Sequence, residues 1–207
     1  FSNVIGKFPN DFAKQIPGTE KNRNFWSSGV SVVLHPKNPK IPAMHFNTRF
    51  ICTQKSWFGG GIDATASLKN LDQKRYFHSE LKKMCNKHNK QYYAKYKKWC
   101  DEYFYLPHRN EARGIGGIFF DYKMDDWEKD FSFVRDVGTT FDFLLDTIIR
   151  RNMHSNWTRK DKEIQLMKRG RYVEYNLLYD RGTKFGLNSG GNTEAILMSM
   201  PPEARWK

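Results

Sequence analysis

The chain has 207 residues, 39 % of them hydrophobic and 15 % aromatic, which supports a sizeable core and excludes a disordered composition. Lys and Arg number 35 against 22 Asp and Glu, a formal net charge of +13, so acidic partners are favoured: nucleic acid, an anionic membrane surface or a polyanionic small molecule. No apolar run approaches the roughly 20 residues of a membrane span, and three cysteines without a Cys-x-x-Cys pair argue against a disulfide framework or zinc ribbon and for a reducing compartment.

Residues 1–28, with Pro9, Pro17 and Gly18, read as irregular. Residues 29–34 alternate and predict a strand. The three prolines between His35 and Pro42 enforce an extended loop. Residues 43–52 form a second expected strand, followed by a glycine turn at Trp57-Phe58-Gly59-Gly60-Gly61. Helices are expected over 72–87 and 91–105, a buried strand over 115–121, and a helix on the spacing of Trp127, Phe131, Val134, Phe141, Leu145 and Ile148. Thr158 with Asp161 resembles a capping box for a helix to about Arg169.

Residues 171–187 read as a complete β-hairpin: an aromatic-rich run from Tyr172 to Tyr179, a turn at Asp180-Arg181-Gly182, and resumed alternation. It is expected to deliver the chain to a helix start at Gly190-Gly191-Asn192-Thr193-Glu194, where backbone N–H groups can hold an anion. That short helix, about 193–200, stops at Pro201-Pro202. Paired strands with helices between the groups predict one α+β domain with a largely antiparallel sheet. The lysine clusters of the helical regions are most simply solvated faces.

In the strand 43–52, His45, Asn47 and Arg49 share one face, and Met44, Phe46, Thr48 and Phe50 share the other. The first set offers a proton shuttle, an amide and a fixed cation, equally an ordinary polar strand side until its neighbours are known. Ser31 and His35 on the preceding strand join that face if the two strands pair. Asp63 follows the triple glycine, either as a turn aspartate or as a carboxylate presented to N–H donors. His35, His45, His78 and His108 form a histidine set without metal-ligand spacing, and His88 and His154 look like exposed helix-end residues. Gly114-Ile115-Gly116-Gly117 runs into a strand rather than a helix, and Gly59-Gly60-Gly61 lacks a Lys-Ser/Thr, so neither a dinucleotide nor a P-loop site is supported.

Several blocks together carry a resemblance: His35-Pro36-Lys37-Asn38-Pro39, His45-x-Asn47-x-Arg49, Trp57-Phe58-Gly59-Gly60-Gly61-x-Asp63, Tyr96-x-Lys98-Trp99-Cys100-Asp101, His108-Arg109-x-Glu111-x-Arg113-Gly114-x-Gly116-Gly117, and 171–187 with Gly190-Gly191. In this order, over about Phe25 to Trp206, they resemble the oxygen-dependent coproporphyrinogen III oxidases, with residues 43–50 closer to bacterial members. Members are longer at both ends, so residues 1–207 are expected to be a single domain lacking both termini, in keeping with Phe1 rather than Met at the start.

The resemblance implies a large, mostly antiparallel sheet flanked by helices on both faces, in a cytoplasmic homodimer of haem biosynthesis. It implies oxidative decarboxylation of the ring A and B propionates of coproporphyrinogen III to vinyl groups, with O2 as acceptor and no organic cofactor. By resemblance His45 is the acid/base and Asp63 meets the pyrrole N–H groups; the hypothesis built on that match is that Asp63 makes the tetrapyrrole electron-rich enough to react with O2 directly. Ser31, Asn47, Thr48, Arg49, Gly190, Gly191 and Asn192 contact substrate, although periodicity puts Thr48 on the face opposite Arg49. Some bacterial members are described as using a divalent metal at positions matching His35, His45, His78 and His108.

Two departures stand out. Gly190-Gly191-Asn192-Thr193-Glu194-Ala195 replaces the family's Gly-Gly-Arg-Thr-Glu-Ser, and Asp63-Ala64-Thr65-Ala66 replaces Asp-Leu-Thr-Pro. Asn192 can still cap a helix, but a charge-assisted contact is lost, about 1.5–3 kcal/mol. The alternatives are a basic nucleic-acid-binding domain, disfavoured because the aromatics sit at core periodicities, and a catalytically impaired porphyrin-binding relative.

Overall fold

Alternation of apolar and polar side chains sets the architecture. The computed structural model describes residues 1–188 and 191–206. In chain order the first elements are β1 (Ser2–Lys7), the short α1 (Asn10–Ala13), β2 (Asn24–Leu34), β3 (Ala43–Cys52) and β4 (Ser56–Thr65). They are followed by α2 (Leu71–His88), α3 (Tyr92–Tyr103), and the two-residue strands β5 (Tyr105–Leu106) and β6 (Glu111–Ala112) around a 3-10 turn at Pro107–Arg109. The rest is β7 (Gly116–Lys123), α4 (Trp127–Asn152), α5 (Arg159–Leu178), α6 (Arg181–Asn188) and α7 (Thr193–Leu197). Five strands pair antiparallel in the order β1-β2-β3-β4-β7, which is the α+β class expected.

One sheet face makes the core. Met44, Ile62, Ala64, Ile118 and Phe120 point from β3, β4 and β7 towards Phe77, Leu81 and Met84 of α2 and Phe133, Val137, Phe141 and Leu144 of α4. The α4 contacts recur every three or four residues, so one stripe of the helix is buried. Each such side chain contributes about 1.5–3 kcal/mol by leaving water; Phe133→Ala would cost about 3–5 kcal/mol. Capping fixes where the helices start. Asn70 accepts from Gln73 N–H at 2.9 Å, Asp126 from Lys129 N–H at 3.1 Å, and Thr158 forms the expected capping box with Asp161.

The opposite face is covered by α5, with the Tyr172 ring 5.0 Å from that of His45. Helix α3 runs beside β7, placing Tyr103 flat on Phe119 (4.4 Å, 6°).

Three expectations are corrected. Residues 1–28 are not irregular: β1 pairs with the first half of β2, so cross-strand partners order Ser27, Ser28 and Gly29 despite their weak strand preference. The triple glycine is not a turn but the middle of β4, and the reversal lies at Thr53–Lys55, where Thr53 N–H donates to Lys55 O at 2.7 Å. A Cβ on Gly60 would sit 2.4 Å from Asn47 O, so glycine there permits close approach of β3 and β4.

Residues 171–187 are not a hairpin. Helix α5 continues to Leu178, past the expected end near Arg169, and α6 follows. The tyrosines that suggested a strand recur at helical steps, Tyr172, Tyr175 and Tyr179, and the first two are buried. Asp180 caps α6, accepting from Thr183 N–H at 2.7 Å. Gly170 does not break α5; a Cβ there would lie 2.4 Å from Arg205 O, because the C-terminal chain crosses at that point.

Candidate active site

The face beneath α5 gathers the polar residues in cross-strand rows. Val33, His45, Asp63 and Gly117 form one row; Ser31, Asn47, Gly61 and Phe119 the next; Gly29, Arg49 and Gly59 a third, with Asp121 beyond. The glycines keep this floor low between two polar ends roughly 14 Å apart, four strand steps. Thr48 lies on the other face with Phe46 and Phe50, as periodicity requires.

At one end, His45 Nδ1 lies 3.0 Å from Asp63 Oδ2, and the same oxygen accepts from the Arg113 guanidinium. All three side chains are buried. Arg113 sits in a cage of rings, its Cζ 4.0 Å from the centroid of Phe104, 5.0 Å from Tyr175 and 5.3 Å from Tyr172. Burial alone would raise the Asp63 pKa, but Arg113 and His45 outweigh it and hold the carboxyl below its ordinary value. Burial pushes the His45 pKa down, and Asp63 opposes this only in part. Burial would also lower the Arg113 pKa, but Asp63 reverses the direction. The cluster therefore rests as an Asp63 carboxylate, an Arg113 cation and a neutral His45. The carboxylate assigns the His45 proton to Nδ1, leaving the lone pair on Nε2, which is buried without a partner among the described residues.

At the other end, Arg49 donates to Asn47 Oδ1 at 2.9 Å and to Asp121 Oδ2 at 2.5 Å. Ser31 is exposed beside Asn47. A small cavity lined by His35, Arg169 and Tyr172, among others, borders the His45 end of this floor. Another, of about 940 Å³, sits against α3, lined by Lys82, Lys90, Tyr93, Lys97 and Lys98 among others, and holds none of the floor residues.

A family model described as coproporphyrinogen III oxidase matches residues 1–207. The chain is 53 % identical over 206 residues, 99 % of its own length, to the oxygen-dependent coproporphyrinogen-III oxidase of Rickettsia bellii (strain OSU 85-389), of which it covers 74 %. It is equally 53 % identical, with the same coverage, to the proteins of that name from Rickettsia rickettsii (strain Sheila Smith) and Rickettsia akari (strain Hartford). The chain belongs to the coproporphyrinogen III oxidase family.

Among coproporphyrinogen III oxidase positions singled out in the sequence, Ser31, His45, Asn47, Arg49 and Asp63 are brought onto one sheet face. Asp63 arrives there on a central strand, not a turn. Gly190 lies outside the described residues. Gly191 is exposed, its N–H donating to Gly186 O at 3.0 Å. Asn192 caps α7, accepting from Ala195 N–H at 3.3 Å. The end of that segment reaches the buried cluster through Ser199 O, 2.8 Å from His35 Nε2, and His35 packs edge-on against Tyr172.

The four histidines do not assemble as a shared metal site. His78 contacts Ile115 O (2.8 Å) and Tyr93 Oη (3.1 Å), and His108 contacts Glu174 (2.7 Å) and Tyr179 Oη (2.9 Å), so both ring nitrogens of each are engaged. Only His35 and His45 are neighbours, on either side of Tyr172. Among the described residues no group of three His, Cys, Asp or Glu is placed to hold a metal ion. His88 is half-buried, 2.9 Å from Asp136, rather than an exposed helix end.

Sequence reasoning did not pick out Arg113 or Asp121. Arg113 lies within one of the motifs named above, and its signal was a cation directly before a glycine-rich run that leads into a strand. Asp121 carried none, because its partner Arg49 is 72 residues away.

Proposed function

We propose that this chain oxidatively decarboxylates the ring A and B propionates of coproporphyrinogen III, giving protoporphyrinogen IX in haem biosynthesis, with O2 as acceptor. Family membership over the whole chain carries this reading. Per propionate, –CH2–CH2–COO⁻, O2 and one proton become –CH=CH2, CO2 and H2O2. Two electrons pass to oxygen, and the carboxylate leaves as CO2.

The site residues suit that chemistry. Four carboxylates on the substrate favour a chain of net charge +13. Arg49, with Asn47 and Ser31 beside it, offers donors for a propionate at the open end of the floor. Asp63, ionised at neutral pH, is the acceptor for pyrrole N–H groups; its Oδ1 carries no hydrogen bond among the described residues. His45 Nε2 is the proton carrier, its tautomer set by Asp63. The donor arrangement does not fit a metal bound by the four histidines, so no step is assigned to one. Asn192 supplies a helix cap where the resemblance implies a cation, so this position offers a propionate no charged donor.

A homodimer is part of this reading; exposed Val4 and Ile5 on the outer strand β1 support it. A cytoplasmic location accords with the absence, among the described residues, of any helix long and apolar enough to cross a membrane. The test is conversion of coproporphyrinogen III in air and under argon, with products separated and read by porphyrin fluorescence after oxidation. Oxygen-dependent appearance of the divinyl product supports the proposal. Binding of coproporphyrin without conversion would instead support the impaired relative.

A further inference from the structure

Three unusual features of the backbone meet at one ion pair on the open end of the floor. The Arg49–Asp121 pair crosses from β3 to β7 over Gly59 of β4. A Cβ on Gly59 would lie 2.5 Å from Asp121 Oδ1 and 3.0 Å from Arg49 Cζ, so any side chain there would break the crossing. The β4–β7 register shifts between Phe58 and Gly60, directly opposite Gly59. Tyr122, a bulky residue, is held at φ 52°, in the left-handed region, and its N–H donates to Asp121 Oδ1 at 3.0 Å. Bulges and strained residues are found where a side chain must be aimed. An ordinary surface pair needs none of them.

We propose that Asp121 is a positioning residue that determines how Arg49 receives a substrate carboxylate. The claim rests on the proposed function, in which Arg49 binds a propionate. Arg49 donates from Nη2 to Asp121 and from Nη1 to Asn47, so the guanidinium cannot swing and presents its remaining donors in a fixed direction. Both side chains are largely shielded, with exposures of 26 % and 17 %, so solvent does not wash out the pairing. An unheld arginine would have to be ordered on each binding event, which lowers affinity. Asp121 does not touch the reacting carbon, so its loss acts on binding and leaves the chemical step alone.

The experiment uses the full chain and two readouts. Binding of coproporphyrin III, a fluorescent tetracarboxylate, is titrated in wild type, Asp121→Ala, Arg49→Ala and the double variant; KM and kcat for coproporphyrinogen III are measured in parallel. Asp121→Ala is expected to weaken binding and raise KM about tenfold, with kcat within about twofold, measured on protein shown to be folded at the assay temperature. The double variant is expected to bind no worse than Arg49→Ala, because Asp121 acts through Arg49. Asp121→Asn, which keeps an acceptor, should recover part of the affinity. Tighter binding by Asp121→Ala would mean that Asp121 competes with substrate, and would overturn the proposal. So would additive losses in the double variant, or binding equal to wild type. If wild type binds coproporphyrin but turns over no coproporphyrinogen, the proposed activity fails and the binding comparison still decides the role of Asp121. If wild type does not bind, both fail.

Discussion

His45 and Asp63 face each other directly across β3 and β4, with Nδ1 3.0 Å from Oδ2. This pairing fixes the imidazole tautomer, keeps Asp63 ionised with help from Arg113, and directs any proton transfer to Nε2.

Loss of the imidazole should therefore cost turnover rather than binding. His45→Ala is expected to lower kcat by about 10²–10⁴ while coproporphyrin affinity changes little. Steady-state kinetics beside fluorescence titration measures both; an unchanged kcat would remove His45 from the proton path.

Arg113 should matter to stability as well as activity. Its removal leaves the Asp63 carboxylate buried beside only a neutral imidazole, and breaking one side of a buried ion pair typically costs about 3–5 kcal/mol. Urea unfolding of Arg113→Ala measures this, and a loss below about 1 kcal/mol would mean that the guanidinium does not sustain the cluster.

The buried histidines give stability a definite pH dependence. Burial pulls the His35 pKa down to about 4, and the His45 and His78 pKa values also lie below normal. Unfolding restores each to about 6.5, so the unfolded chain binds more protons between the folded and unfolded values. Stability is complete above about pH 6.5 and falls as pH drops towards 4. Asp63 adds the same sign lower down: its depressed pKa gives stability that is lost as carboxylates protonate. Melting temperatures from pH 8 to 4 test this, and His35→Asn should flatten part of the decline. A melting temperature that rises towards pH 4 would contradict it.

Much of the candidate site's layout was legible because a strand's period of two sorts His45, Asn47 and Arg49 from Phe46 and Phe50 without tertiary knowledge. The same reasoning failed at 171–187. Tyrosine and valine favour strands locally, but burial of Tyr172 against His45 and of Tyr175 against Phe104 selects the helix. Arg113 and Asp121 were not legible because their roles come from partners 50 and 72 positions away, across strands whose pairing order no local pattern specifies.

Asn192 should limit affinity. Asn192→Arg places a cation at the start of α7 and is expected to tighten coproporphyrin binding about tenfold, the effect of one charge-assisted hydrogen bond. Equal affinities would show that the missing charge is supplied elsewhere.

Chelation should leave turnover intact. His78 and His108 are each engaged on both ring nitrogens by other groups, so enzyme treated with a strong chelator and freed of it by gel filtration is expected to keep full activity. Loss of activity restored by one divalent cation would mean that these side chains rearrange around a metal.

The most direct test of the central claim is the oxygen dependence of propionate loss. Wild-type chain incubated with coproporphyrinogen III should release CO2 and form protoporphyrinogen IX in air, and form none under argon. Conversion that proceeds equally without oxygen, or no conversion in air by chain that is folded and binds coproporphyrin, would contradict the account.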